Sequence, residues 1–188
     1  MKALFLFSVF SLSLILLSPD VSQSQSTAEY VCYPCGSECD EVIYFGEGKC
    51  RECRMPLIEK SRVVFRNISP SELLSKLKFE LGFILIDVRS EEEFDGEGKG
   101  QQYLQGYKHF NNAINIPSDE LEKRISEIKD LKNSEIIVYC SHNNRSPYSS
   151  QILTDAGFSN VTNLMEGIKV FAEDYLINSD KGRKYFVK

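Results

Sequence analysis

Ile136-Ile137-Val138-Tyr139-Cys140-Ser141-His142-Asn143-Asn144-Arg145-Ser146 runs from a continuous apolar stretch, through a single cysteine, into a short polar loop. Glu135 to Tyr139 is too short for a buried helix and rich in β-branched residues, so it reads as a strand buried on both faces, the kind found in parallel sheets. A helix is predicted from Ser146 to Ala156, closed by Gly157 just past its end. Cys140 therefore sits at the carboxyl end of a parallel strand and faces the start of a helix. Ligands of open α/β sheets bind outside the strand ends. The amides of a tight loop and of a first helical turn point inward there and attract negative charge. That field favours thiolate over thiol. Arg145 adds a fixed positive charge and a planar fork of donors suited to an oxyanion. Taken alone, a cysteine after a strand is an ordinary small buried hydrophobe. Its place at a strand–loop–helix junction, with an arginine five residues on, gives it a chemical reading.

Outward from this junction the strand–helix alternation repeats. Val63-Val64-Phe65 reads as a short strand and Asn67 to Pro70 as a turn. Ser69-Pro70-Ser71-Glu72 is a helix start, with Ser69 as N-cap, Pro70 at N1 and Glu72 at N3. That helix runs to Lys78 with Leu73, Leu74 and Leu77 on one face. Phe83 to Val88 is a second buried strand. Ser90 caps a short helix from Glu91 to Phe94, whose acidic start, Glu91 to Glu93, reads as solvated. Asp95 to Gln105 has no periodicity and is a loop. Ala113 to Pro117 is a strand, and Ser118 to Ile128 a helix with Leu121, Ile125 and Ile128 as its apolar face. Val161 to Leu164 is a last strand and Gly167 to Tyr175 a last helix. Strands alternating with helices predict an α/β fold over residues 63–188, a parallel sheet with helices on both faces.

Leu85-Ile86-Asp87-Val88-Arg89-Ser90-Glu91-Glu92-Glu93-Phe94, Ala113-Ile114-Asn115-Ile116-Pro117, Val138-Tyr139-Cys140 through Arg145-Ser146, Ala156-Gly157-Phe158 with Asn160-Val161, and Leu164 with Glu166-Gly167-Ile168 follow one another over about residues 66–176. In order and spacing they resemble the successive blocks of a rhodanese domain. The resemblance implies a rhodanese-like fold and a sulfurtransferase of the thiosulfate sulfurtransferase class. Cys140 would be its catalytic nucleophile, taking sulfane sulfur from a donor such as thiosulfate as a persulfide and passing it to a thiol or cyanide. Substrate would be cradled by Ser141, His142, Asn143, Asn144, Arg145 and Ser146, with no organic cofactor. Four residues separate Cys140 from Arg145, as in sulfur-transferring rhodaneses; related phosphatases and arsenate reductases have one more, so the loop argues against phosphatase activity.

Two features depart from the family. The loop has no glycine, but Asn143 and Asn144 are the residues that best tolerate left-handed backbone in its place. The segment before the second strand, usually Gly-His-Ile-Pro-Gly-like, is Gly106-Tyr107-Lys108-His109-Phe110-Asn111-Asn112, behind the inserted-looking loop 95–105. That loop could lie near the site and alter access. His142 could tune the thiolate, although a loop histidine is more often simply exposed. A papain-like Cys–His pair is disfavoured, because His109 and His142 are the only histidines and neither has a recognisable orienting partner. Asp87 and Arg89 read as structural.

The other five cysteines crowd into residues 32–53, apart from Cys140, which suggests a second and separate task. Cys32-x2-Cys35 and Cys50-x2-Cys53 are two knuckles 14 residues apart. That spacing suits a tetrahedral zinc site of four thiolates within a unit at residues 28–60. Cys39 is a surplus thiol that could replace one ligand. Tyr30-Val31-Cys32 with Gly48-Lys49-Cys50-Arg51-Glu52-Cys53-Arg54-Met55-Pro56-Leu57 also resembles the small heavy-metal-binding domain found beside metal-transport proteins, where Gly-Met usually follows the second knuckle; here it is Arg54-Met55. A structural Zn2+ is expected, since so small a segment has no other core. Thiolate softness also admits Cu(I), and in an oxidising compartment disulfides compete.

Lys2 followed by the apolar run Ala3 to Leu17, then Pro19 and a polar stretch, has the form of a signal peptide over residues 1–24, cleaved near Ser24. The run is short for a membrane span, although an uncleaved anchor is the competing reading. The mature chain is expected to be exported, periplasmic or secreted, with no stable membrane span. A net charge of −5 without a basic run makes nucleic acid a poor partner. The expected partner is a small sulfur-containing anion or thiol. The alternative is a non-catalytic persulfide- or metal-binding module acting as carrier or sensor in the cell envelope.

Overall fold

The computed structural model of the protein describes residues 28–188, so the expected leader and its cleavage near Ser24 lie outside the described residues. The chain first forms an antiparallel ribbon of β1 (Tyr30–Cys32) and β2 (Leu57–Glu59), with Val31 opposite Ile58 and Cys32 opposite Leu57. Side chains alternate along a strand, so the ribbon has two different faces. Cys32 and Leu57 join a cluster of cysteines, whereas Val31 and Ile58, with Tyr33, enter the core of the larger domain. The cysteine-rich segment is thus fused to the main core.

The remainder alternates as β3 (Arg66–Ile68), α1 (Pro70–Lys78), β4 (Ile84–Asp87), α2 (Glu91–Phe94), β5 (Ile114–Asn115), α3 (Leu121–Arg124), β6 (Ile136–Tyr139), α4 (Ser146–Asp155), β7 (Val161–Leu164) and α5 (Gly167–Ala172). The five strands of this domain form one parallel sheet in the order β3-β7-β6-β4-β5. Alternation along β6 divides the core. Ile136, Val138 and Cys140 pack with Leu121, Ile128 and Leu153 on the side of α3 and α4. Ile137 and Tyr139 pack with Leu73, Leu74, Ile168 and Phe171 on the side of α1 and α5. The expected parallel sheet with helices on both faces is present, and β6 runs through its middle.

Local signals hold where the chemistry is local. Ser69 and Glu72 form the reciprocal capping box at α1, and Ser90 and Glu93 form another at α2. Two elements differ from expectation. The first strand is Arg66–Ile68, not Val63–Phe65, and Val64 is exposed. An edge strand needs one neighbour and one buried side chain. Ile68 supplies the burial, while the Asn67 side chain accepts a 2.8 Å bond from Asn163 on β7. The helix expected over 118–128 is α-helical only over Leu121–Arg124 and continues as 3-10 turns over Ile125–Leu131. Ile125, Ile128 and Leu131 all face the same core at a spacing of three, which matches the three-residue turn of a 3-10 helix.

Candidate active site

The site is assembled where β6 ends in the sheet's centre. Cys140 is fully buried. The loop after it turns back through Asn143, which takes the left-handed conformation at φ 61 and does what glycine would do. The first turn of α5 then fixes the loop from behind: Ile168 N–H donates to the Cys140 carbonyl at 2.8 Å and Lys169 N–H to the Ser141 carbonyl at 3.1 Å. With those carbonyls tied outward, the loop's amides are left for another partner. Among the described residues no acceptor meets the backbone N–H of Ser141, His142, Asn143, Asn144 or Arg145. Five consecutive loop donors without an acceptor, following a buried thiol, are the kind of backbone array that binds anions.

Gly167 makes this arrangement possible. It has φ 73, and a Cβ there would lie 2.5 Å from the Ser141 carbonyl oxygen and 2.7 Å from that of Cys140. Gly167→Ala is therefore expected to cost about 1–2 kcal/mol for the left-handed backbone alone. The clash adds to this and pushes the loop off its anchor, so any reaction at Cys140 should slow by at least about tenfold, on the scale that small misplacements of reacting groups produce. Urea unfolding and initial rates on the same sample test this; unchanged rate and stability would disprove the anchoring role.

Around the sulfur, Ser146 Oγ lies 3.5 Å from Cys140 Sγ and 3.3 Å from Asn143 Oδ1, with one proton to donate. Asn144 Oδ1 stands 3.6 Å from the thiol as its acceptor. His142 is exposed and meets Tyr103 edge-on at 5.9 Å, so the 95–112 region does reach the rim of the site. His109 is stacked on Phe94 at 3.6 Å and its Nδ1 bonds the Phe110 carbonyl. Neither histidine is hydrogen-bonded to Cys140 among the described residues.

Arg145 is placed differently from expectation. Its fork closes on Glu93 of α2, Nη1 to Oε2 at 2.6 Å and Nη2 to Oε1 at 3.0 Å, and Ser141 Oγ joins the group, 2.6 Å from Glu93 Oε1 and 3.1 Å from Arg145 Nη2. Burial alone would raise the Glu93 carboxyl, but Arg145 and Ser141 overcome it and hold its pKa at about 2. Glu93, expected to be solvated, is the residue that sequence reasoning missed. It clamps the loop while its side chain stays about 20% exposed. The pair braces the loop, and Arg145 also stays close enough to Cys140 for the two to interact.

The cysteine-rich segment covers the loop. Asn143 Nδ2 donates to the Cys35 carbonyl, Tyr33 packs edge-on against Tyr148, and Met55 touches both cysteine cluster and main core. Two cavities lie along this seam. One of about 370 Å³ is walled by Met55, Pro56, Ser118, Asp119, Asn144, Arg145 and Tyr148. The other, about 230 Å³, lies among Cys35, Gly36, Cys53, His142, Asn143 and Asn144. Asn144 lines both and stands over the Cys140 sulfur. Of the five clustered cysteines, the Sγ atoms of Cys32, Cys39, Cys50 and Cys53 lie within 4.8 Å of one another; Cys35 falls in an overlapping group with Cys39 and Asp40, its Sγ 3.9 Å from that of Cys39. The surplus thiol of the sequence, Cys39, is therefore in the four-sulfur group, and Cys35 is beside it.

Residues 69–174, more than half of the chain, match the family described as Rhodanese-like domain. The chain belongs to the rhodanese-like domain family. It is 36% identical over 63 residues to the thiosulfate sulfurtransferase PspE of Escherichia coli, covering 34% of this chain and 59% of that one. It is 33% identical over 100 residues to the adenylyltransferase and sulfurtransferase UBA4 of Candida glabrata, covering 48% of this chain and 21% of that one. The chain thus spans only part of the curated relatives it matches. A solved rhodanese-related protein from Thermoplasma volcanium is similar at 25% identity and a TM-score of 0.46, over 58% of this chain and 93% of the other. The rhodanese-like match covers the Cys140 loop, Glu93 and Gly167, and it begins after the cysteine-rich segment.

Proposed function

We propose that the protein is a sulfurtransferase that carries sulfane sulfur on Cys140 as a persulfide, loading it from an anionic donor such as thiosulfate and releasing it to an acceptor thiol. The observation that carries this reading is the run of backbone N–H groups from Ser141 to Arg145, without acceptors among the described residues, in the loop that follows a buried thiol at a strand end. The Cys140 thiolate attacks the outer sulfur of thiosulfate. A new S–S bond forms, the original S–S bond breaks, and sulfite leaves with the bonding pair. The terminal sulfur of the persulfide is anionic, and the loop amides are placed to stabilise it. An acceptor thiolate then attacks that sulfur and Cys140 departs as thiolate. Four residues lie between Cys140 and Arg145, the interval that the resemblance associates with sulfur-transferring rhodaneses rather than with the related phosphatases.

The seam cavity bears on the acceptor. At about 370 Å³ it is far larger than cyanide needs, and Met55, Pro56 and Tyr148 give it an apolar wall. Such a wall suits the body of an organic thiol, with the sulfur entering past Asn144. Names among the similar proteins, thiosulfate sulfurtransferase and putative sulfur carrier protein, support sulfur handling in both its forms. The complete burial of Cys140 favours a second reading, a persulfide carrier that unloads to one docked partner. The apolar run at Ala3–Leu17 supports an exported setting, periplasmic or secreted, for either reading.

The deciding experiment incubates reduced, folded protein with thiosulfate and reads intact mass. A gain of about 32 Da, one sulfur atom, mapped to the peptide containing Cys140, is the expected product of an activated thiolate. No gain from thiosulfate or from a polysulfide donor would rule out sulfur loading at this site. Loading without turnover on small thiols would select the carrier reading.

A further inference from the structure

We propose that Cys32, Cys39, Cys50 and Cys53 hold one soft metal ion such as Zn2+ in a four-thiolate site, while Cys35 is kept out of that site and secures the cover over the Cys140 loop. The geometry fits a tetrahedral thiolate centre. The four sulfurs lie within 4.8 Å of one another, and Cys32 and Cys53 approach to 3.1 Å. Four thiolates at about 2.3 Å from zinc are separated by ~3.8 Å along each edge of the tetrahedron. All five cysteines are free thiols, and three of the four proposed ligands are buried. The cluster they form has only Met55 and Leu57 packed against it. The segment's apolar face is held by the main core, but around the sulfurs themselves so little packing leaves bridging by an ion as the main source of order.

The residue that selects Cys39 over Cys35 is Asp40. Its Oδ2 accepts the backbone N–H groups of Cys35 at 2.8 Å and Gly36 at 2.6 Å, and its Oδ1 lies 3.4 Å from the Cys35 sulfur. These bonds set the Cys35–Gly36 turn on top of the 3-10 helix Glu38–Glu41, from which Cys39 projects into the cluster. The same turn presents the Cys35 carbonyl to Asn143. A carboxylate already receiving three donors is a poor ligand for a second ion, which is why one ion is assigned although Cys35, Cys39 and Asp40 are neighbours. The ion would thus tie together both knuckles and the segment lying across the Cys140 loop.

The test uses the full chain, expressed with zinc and purified with its thiols reduced. Elemental analysis should give one zinc per chain, and Co2+ exchanged into the site should show the intense absorption of tetrahedral thiolate cobalt. Cys35→Ser should keep one equivalent and the four-thiolate spectrum. Cys39→Ser should bind at least tenfold more weakly. If Cys39→Ser fails to fold, Cys35→Ser still decides: outside Cys140 only four cysteines remain in it, so a four-thiolate spectrum requires Cys39. Loss of metal in Cys35→Ser with retention in Cys39→Ser would overturn the ligand set. Two equivalents per chain, or a metal-free protein holding disulfides, would overturn the site. Chelation of the wild type supplies a readout independent of sulfur transfer, because release of the cover should speed alkylation of Cys140, followed by peptide mass. An unchanged rate on metal removal would overturn the link to the loop.

Discussion

Cys140→Ser is expected to lower sulfur-transfer turnover by at least about 10³-fold and to abolish the persulfide mass shift, on the scale seen when the residue forming a covalent intermediate is removed. The side chain is close to isosteric and sits in a fully buried position, so the substitution changes chemistry more than packing. Ser146 and Asn144 can still bond the new hydroxyl. What is lost is the sulfur itself: a serine oxygen needs a base to become a nucleophile, and the two histidines are committed elsewhere, His109 against Phe94 and His142 at the exposed rim against Tyr103. Stability should change by less than about 1 kcal/mol, as for other small near-isosteric changes. Initial rates with thiosulfate, beside a thermal melt, make the comparison. A variant keeping a tenth or more of the activity in a folded state would remove Cys140 from the mechanism.

Asp87→Ala is expected to be the most destabilising single change near the site, by about 3–5 kcal/mol. Asp87 and Arg89 have fully buried side chains. Asp87 accepts the backbone N–H of Arg89 at 3.0 Å and its Nη2 at 2.6 Å, while the guanidinium continues to Gln101 at 2.7 Å and the Lys108 carbonyl at 3.0 Å. Burial alone would lower the Arg89 pKa, but Asp87 beside it reverses that and holds it raised. Removing the carboxylate leaves a buried cation without its partner, which is why the loss exceeds the net worth of the pair. For a domain of this size each kcal/mol moves the melting temperature by about 2–4 °C, so a fall of roughly 6–20 °C should follow. The paired replacement Asp87→Leu with Arg89→Met should recover much of it, since no unpaired charge remains. A single variant melting within about 2 °C of wild type would show that water or loop rearrangement solvates Arg89.

The sequence carried the site's frame because that frame is local. An apolar run ending at Cys140 needs no tertiary information to read as a buried central strand, and a glycine-free loop still announces its turn through Asn143. The capping boxes at Ser69 and Ser90 are likewise four-residue affairs. What could not be read depends on distant partners. A glutamate at the third helical position looks the same whether its outer oxygens meet water or an arginine 52 residues away, so Glu93 was hidden by its own cap. The same limit applies to Arg145, whose fork suits an oxyanion and a carboxylate equally. In the cysteine cluster, spacing alone pairs Cys32 with Cys35. Only the folded chain shows that Asp40 bonds the Cys35–Gly36 turn and that Cys39 lies in the four-sulfur group. The displaced β3 has a related cause: Val63 to Phe65 look like a strand, but the sheet edge takes whichever register lets Ile68 be buried beside β7.

Val31, Tyr33 and Ile58 share a core with Ile86 and Val138. The border near residue 60 therefore separates two chemistries but not two hydrophobic cores, and the cysteine-rich segment depends on the sheet for the apolar part of its stability. Whatever stiffens or loosens it is felt by the sheet, and the sheet's strength is lent to it in return. Removing the segment would uncover the apolar surface that Val31, Tyr33 and Ile58 now bury.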